Sequence, residues 1–255
     1  MSKGERPTVR VLPESPNPLG PAQPSDGSAA SSALSHLPVL RLISEKIEAS
    51  ILMLLRFEGE QRWRLVHAVD ELVNCFKLGG KVLVAGNGGS AAEAQHFAGE
   101  LVGRFQKDRD PLPVIALSCN SSVVTAIAND YGYDRVFSRQ VQALGRRGDV
   151  LVAISTSGTS ANMLAAVREA KRVGMRTIGF LSERPGELTG LVDIPLQVPA
   201  TDTPSVQEGH TILTHLICAL VEQALLAEPN NLAGARARIS APGTDAAPAT
   251  AVKDT

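Results

Sequence analysis

Short apolar runs alternate with stretches of helix-spaced apolar residues through the middle of the chain. The runs at 82–85, 114–117, 150–154, 177–181 and 194–198 read as strands. Between them, 90–102, 121–129, 136–144 and 160–173 read as helices, and a last helix is expected over 205–226. Short apolar strands that each lead into a helix predict a parallel α/β sheet covered on both faces. Ligands of such sheets bind beyond the carboxyl ends of the strands.

Two more helices are expected before the first strand. Leu40, Ile43, Ile47, Ile51, Leu54 and Leu55 share helical spacing within 37–57, and Leu65, Val69, Leu72, Val73 and Phe76 share it within 62–78. Gly79-Gly80 ends the second. The pair suits an added layer or an oligomer contact. Residues 1–34 and 229–255 are rich in Pro, Ser, Gly and Ala and are expected to be disordered, which leaves one folded domain over 35–228.

A formal net charge of -1 argues against binding driven by attraction to nucleic-acid phosphates or an anionic membrane. An aromatic content of 4% leaves little for stacking on bases. Cys75, Cys119 and Cys218 lack metal-type spacing and read as buried free thiols in a reducing compartment. No signal peptide is visible and no apolar run approaches the roughly 20 residues of a membrane span, so a cytoplasmic location is expected.

Chemistry concentrates after the first and third strands. Gly86-Asn87-Gly88-Gly89-Ser90 joins a strand to a helix. Glycines let a ligand approach the backbone, and a helix start offers unpaired N–H groups to a phosphate. The spacing is neither a Walker loop nor a dinucleotide fingerprint. The same residues also suit a tight turn with Ser90 as helix cap. Ser155-Thr156-Ser157-Gly158-Thr159-Ser160 repeats the arrangement with hydroxyls, which suits a phosphate monoester or a turn capped by Ser160.

His96 and Glu100 stand four apart on one helix face, where they can hold a divalent metal, move a proton or form a plain surface pair. On the last helix, Gln207, Thr211 and His215 form a slowly drifting row, so Gln207 and His215 can face one cavity. His210 falls off that row and reads as structural or exposed; Glu208 reads as solvent-facing or as an oligomer contact. His36 and His67 stand alone. Spacing does not join the two helices in space.

Taken together, GNGGS, HFAGEL, STSGTS, the block 116–141 and the VPATDTPSVQEGH block resemble the sugar isomerase (SIS) domain family, and within it the bacterial sedoheptulose 7-phosphate isomerases, over about 40–226. The resemblance implies a flavodoxin-like, doubly wound sheet of five parallel strands with the two extra N-terminal helices. It places substrate contacts on Asn87, Gly88, Gly89, Ser90, Glu100, Asn129, Asp130, Ser155, Thr156, Ser157, Ser160 and Gln207. It implies one Zn²⁺ per subunit on His96, Glu100, Gln207 and His215, proton transfer by Glu100 and His215, and a homotetramer with sites at subunit contacts. Two positions depart from the family: Thr159 stands where Asn is frequent, and Gly99 where Glu is common.

The implied reaction interconverts sedoheptulose 7-phosphate and D-glycero-D-manno-heptose 7-phosphate through an enediol, as the first step toward nucleotide-activated heptose. Glu100 would take the C1 proton and His215 would serve the oxygens and C2. Metal binding and base action compete at Glu100 unless one carboxylate oxygen does each. Two alternatives share much of the motif set: a non-catalytic relative that binds the replication initiator DnaA, and an isomerase or sensor of another sugar phosphate. The joint presence of Glu100 and His215 separates this chain from the first.

Overall fold

Five parallel strands lie in the order β2-β1-β3-β4-β5. They are β1 (Val82–Gly86), β2 (Val114–Ala116), β3 (Val150–Ser155), β4 (Arg176–Ser182) and β5 (Ile194–Val198). The computed structural model describes residues 28–227, with side chains from residue 36. The expected tails therefore lie mostly outside the described residues. The helices are α1 (Ser28–Lys77), α2 (Gly89–Val102), α3 (Ser121–Tyr131), α4 (Ser138–Leu144), α5 (Ala161–Val173), α6 (Glu187–Leu191) and α7 (Thr203–Ala227), with a 3-10 turn at Tyr133–Arg135.

Sheet residues alternate between two cores, as the pleat requires. Val82, Val84, Val150, Val152 and Ile154 join one cluster with residues of α1, α2 and α7. Leu83, Ala85, Leu151 and Ala153 join the other with residues of α4, α5 and α6. Burial on both faces explains why these strands carry continuous apolar runs. The strand order reverses between β1 and β3, so the turns after these neighbours open the crevice where doubly wound sheets bind ligands.

The described residues fall into two units that divide after Ile47. In the first, Leu37, Val39, Leu40, Leu42, Ile43 and Ile47 are exposed along the helix. The expectation of two N-terminal helices is corrected: α1 runs unbroken from Ser28 to Lys77, and it begins within the stretch expected to be a tail. Gly59 does not break it, because helix formers surround it and paired charges span it. Glu58 meets Arg62 (2.7 Å) and Arg56 meets Glu60 (3.3 Å), each one turn apart. The helix expected over 136–144 is found as α4, which starts two residues later and ends as expected, with the 3-10 turn just ahead of it. The five-residue α6 is too short to show a helical period.

By length and composition α7 could cross a membrane, contrary to the expectation that no run comes near that length. Its apolar residues are used otherwise: Val206, Leu213, Ile217, Val221 and Leu225 are buried in the core. Cys75 and Cys218 are buried as expected, and burial pushes both thiols up to about 12. Cys119 is exposed, which corrects that part of the expectation. It follows the last core residues of β2 and precedes the α3 cap, Asn120.

The segment between α2 and β2 is fastened to α7. Glu222, 2% exposed, accepts from the backbone N–H of Phe105 (3.3 Å), Gln106 (3.0 Å) and Lys107 (2.8 Å). Arg109 Nε lies 3.3 Å from the same carboxylate. The other guanidinium nitrogens donate to the backbone carbonyls of Leu101 (2.9 Å) and Glu100 (3.0 Å), at the end of α2.

Candidate active site

The first loop leaves β1 at Gly86 and turns into α2. Gly88 takes a positive φ of 55°, which admits glycine readily, and it occupies the cap position. Gly89 lets the Gln207 amide lie directly against the loop, since a Cβ there would push that side chain aside. Ser90 is buried inside the first turn, and no side chain caps the helix. The simple reading of Ser90 as a cap is thus excluded.

The second loop leaves β3 at Ser155, whose Oγ accepts from Gly158 N–H (3.1 Å). Ser157 Oγ accepts from Thr159 N–H (3.3 Å) and lies 3.4 Å from Ser160 Oγ. The Thr156 carbonyl accepts from Ser182 Oγ (2.8 Å). Ser160 occupies the α5 cap position, yet its side chain makes no capping bond. Its hydroxyl and the first amides of α5 are therefore a donor set for an anion.

An amide pair joins the two halves of the crevice. Asn87 Nδ2 donates to Asn162 Oδ1 and Asn162 Nδ2 donates to Asn87 Oδ1, both at 2.9 Å. Tyr133 OH donates to Asn87 Oδ1 at 3.1 Å. Asn129 and Asp130 sit on the exposed last turn of α3, where the Asn129 amide donates to Asp130 (2.9 Å). Among the described residues, no hydrogen bond joins that pair to either loop.

The second half of the site is a meeting of α2 and α7. His96 Nε2 lies 3.3 Å from Glu100 Oε1 and 3.3 Å from His215 Nε2. All three residues offer ligand atoms within 4.8 Å of one another. The imidazoles stand edge-on, with ring centroids 5.0 Å apart. Two ring nitrogens and a carboxylate oxygen thus lie close enough together to share a cation or a proton. Such a nitrogen and oxygen set fits a divalent ion of the zinc type.

Glu93 supports this cluster. Its Oε2 accepts from Thr211 Oγ1 (2.8 Å), and its Oε1 lies 3.4 Å from His96 Nδ1, buried and without a hydrogen bond. A carboxylate behind Nδ1 favours the tautomer that leaves Nε2 free toward Glu100 and His215. Phe105 packs on the other ring, its centroid 5.6 Å from that of His215. Gln207 lines a cavity of about 300 Å³ with Gly89, Glu93 and His96. The structure thus brings Gln207 to the first loop, beside the three-ligand cluster.

His210 lines the same cavity but is buried. Its Nε2 lies 3.3 Å from the Leu181 carbonyl, and burial lowers its pKa to about 4. It is a neutral structural residue, and the exposed alternative is discarded. Glu208 is exposed and accepts from Ser50 Oγ (2.7 Å). The family departures are harmless to the fold: a side chain at Gly99 would meet nothing, and Thr159 is exposed.

Glu93, Phe105, Tyr133 and Asn162 escaped the sequence reading. Only Glu93 carried a local signal, standing three residues before His96 on the same helix. The others reach the site through tertiary contacts.

Comparison with known proteins agrees with this geometry. Residues 47–182 match the model of the SIS domain. Phosphoheptose isomerase of Burkholderia pseudomallei is 57% identical over 61% of this chain and 79% of that protein. That of Roseiflexus sp. is 48% identical over 74% of this chain and 95% of that protein. Among solved structures, phosphoheptose isomerase GmhA from Neisseria gonorrhoeae matches with a TM-score of 0.69 at 39% identity, over 72% of this chain and 99% of that one.

Proposed function

The chain belongs to the SIS domain family, and we infer from its site and its phosphoheptose isomerase relatives that it is a sedoheptulose 7-phosphate isomerase. It interconverts this ketose and D-glycero-D-manno-heptose 7-phosphate. The observation that carries the reading is the convergence of Glu100 and His215, from separate helices, within one cluster. His96 of that cluster lines one cavity with Gly89 of the first loop, and the loops after β1 and β3 offer anion donors.

In this reading the loops after β1 and β3 hold the phosphate and leave the other end of the sugar near α2 and α7. Holding the reacting carbons in place removes much of the entropic barrier. Glu100 takes the proton from C1 as the C2 carbonyl oxygen gains one, which gives the enediol. His215 relays protons between the two oxygens. Return of a proton to C2 and loss of one from the C1 hydroxyl completes the aldose. Glu93 orients His96, and Phe105 orients His215.

His96, Glu100 and His215 would hold a Zn²⁺, with Gln207 within reach of the same cavity. Bound there, it supplies Lewis-acid polarisation of the substrate carbonyl. Assembly as a homotetramer is part of the same proposal. Its support is the apolar surface left uncovered in one chain. In α3 no residue is buried, and Ile51, Leu52, Leu55 and Trp63 of α1 are exposed, as are Leu216 and Leu220 of α7. Asn129 and Asp130 lie on α3, so an assembled subunit contact there would bring them to a site. The three free thiols support a cytoplasmic location.

The initiator-binding alternative is not favoured, since the relatives described above are phosphoheptose isomerases. A panel of sugar phosphates tests the reading. Turnover confined to sedoheptulose 7-phosphate and its aldose is expected. Turnover of another sugar phosphate in its place, or capture of the initiator without any turnover, would refute it.

A further inference from the structure

We propose that Asn162 is a positioning residue for phosphate binding, acting through a paired-amide lock with Asn87 that Tyr133 closes. The proposal rests on the isomerase reading above, in which the two loops grip the substrate phosphate.

Strands β1 and β3 are neighbours in register up to Gly86 and Ile154, and beyond that point the chains part. Asn87 is the first residue after β1, and Asn162 lies in the first turn of α5. Their two reciprocal hydrogen bonds of 2.9 Å therefore fix the first loop against the α5 N-terminus, where the second loop ends. Asn162 is 3% exposed, and among the described residues its side-chain amide bonds only to Asn87.

Donor and acceptor counting gives the lock its meaning. The Asn87 carbonyl oxygen has two lone pairs, and Asn162 and Tyr133 occupy both. One of its two N–H donors goes to Asn162. The side chain expected to touch substrate is thus largely spent inside the protein. Its contribution to affinity is to hold Gly88 and Gly89 at the right separation from the second loop. Removing Asn162 leaves the Asn87 amide short of one donor and one acceptor, and the loop is free to shift.

The test is a double-mutant cycle on the full chain with sedoheptulose 7-phosphate, with inorganic phosphate as competitor. Asn87→Ala and Asn162→Ala should each raise KM and the phosphate inhibition constant about tenfold, as expected for two lost hydrogen bonds, with a smaller change in kcat. The double variant should be no worse than either single one, because both remove the same lock. Tyr133→Phe keeps the amide pair and should raise KM about threefold; it decides the matter if the Asn162 variant does not fold. Unchanged KM in Asn162→Ala, or in Tyr133→Phe when that variant decides, would overturn the proposal. So would multiplicative losses in the double variant, which would mean that Asn87 grips phosphate by itself. A wild-type protein that neither turns over the sugar nor binds phosphate would overturn the isomerase reading itself, a failure visible before any variant is made.

Discussion

Glu222 anchors the segment that presents Phe105 to His215, and its loss has a size that the structure sets. The Glu222 and Arg109 side chains are 3% and 4% exposed. Glu222→Ala removes the acceptor of three backbone N–H groups and strands a buried guanidinium. Breaking one side of a buried ion pair costs about 3–5 kcal/mol. For a folded unit of this size that is a fall in Tm of about 10 °C. Arg109→Met/Glu222→Leu should be less damaging than Glu222→Ala, because no uncompensated charge stays inside. Calorimetry of the wild type, Glu222→Ala, the single variants Arg109→Met and Glu222→Leu, and the double one measures this. Turnover should drop about tenfold in Glu222→Ala, since Arg109 also holds the Glu100 carbonyl and Phe105 braces His215. A Tm shift below about 2 °C, or a double variant as damaged as the sum of the singles, would refute this account of the segment.

Three further outcomes are expected. Glu100→Gln should abolish turnover while leaving substrate binding largely intact, read by calorimetric titration; retained turnover would remove Glu100 as the base. Ser157→Ala should act on KM far more than on kcat, and an unchanged KM would take the second loop out of phosphate binding. His210 has a folded pKa of about 4 against an ordinary 6.5, so the unfolded chain binds more protons between those values. Its contribution, about 3 kcal/mol, is present in full above pH 6.5 and lost as pH falls toward 4. Denaturant titrations across that window should show a shallower loss in His210→Gln, and an identical slope would exclude this residue as the cause.

The inner strands β1, β3 and β4 were legible because they are buried on both sides, so their apolar runs need no knowledge of neighbours; the edge strands β2 and β5 are only half-buried but remain apolar. Strand β5, over Ile194–Val198, is found where it was expected. The continuity of α1 was not legible: the apolar rows over 37–57 and 62–78 leave a gap at 58–61, and only the Glu58–Arg62 and Arg56–Glu60 pairs across it reveal an unbroken helix. Both candidate phosphate loops announced themselves by glycine and hydroxyl content next to a strand. His96 and Glu100 could be paired by helical spacing. Their meeting with His215 could not, since His96 and His215, 119 residues apart in sequence, come together only through the packing of α2 on α7. Asn162 is the hardest case, because a buried amide pair leaves no periodic or compositional trace. The burial of His210 was hidden for a related reason: it faces the core from a helix whose neighbouring turns face the site.

Proton transfer through an enediol is the central claim, and NMR of sedoheptulose 7-phosphate with the purified protein in D₂O tests it most directly, with and without added Zn²⁺. Signals of the aldoheptose 7-phosphate should appear, with deuterium at C2. Absence of turnover under both conditions, or an aldose formed with its C2 hydrogen fully retained from C1, would contradict the account.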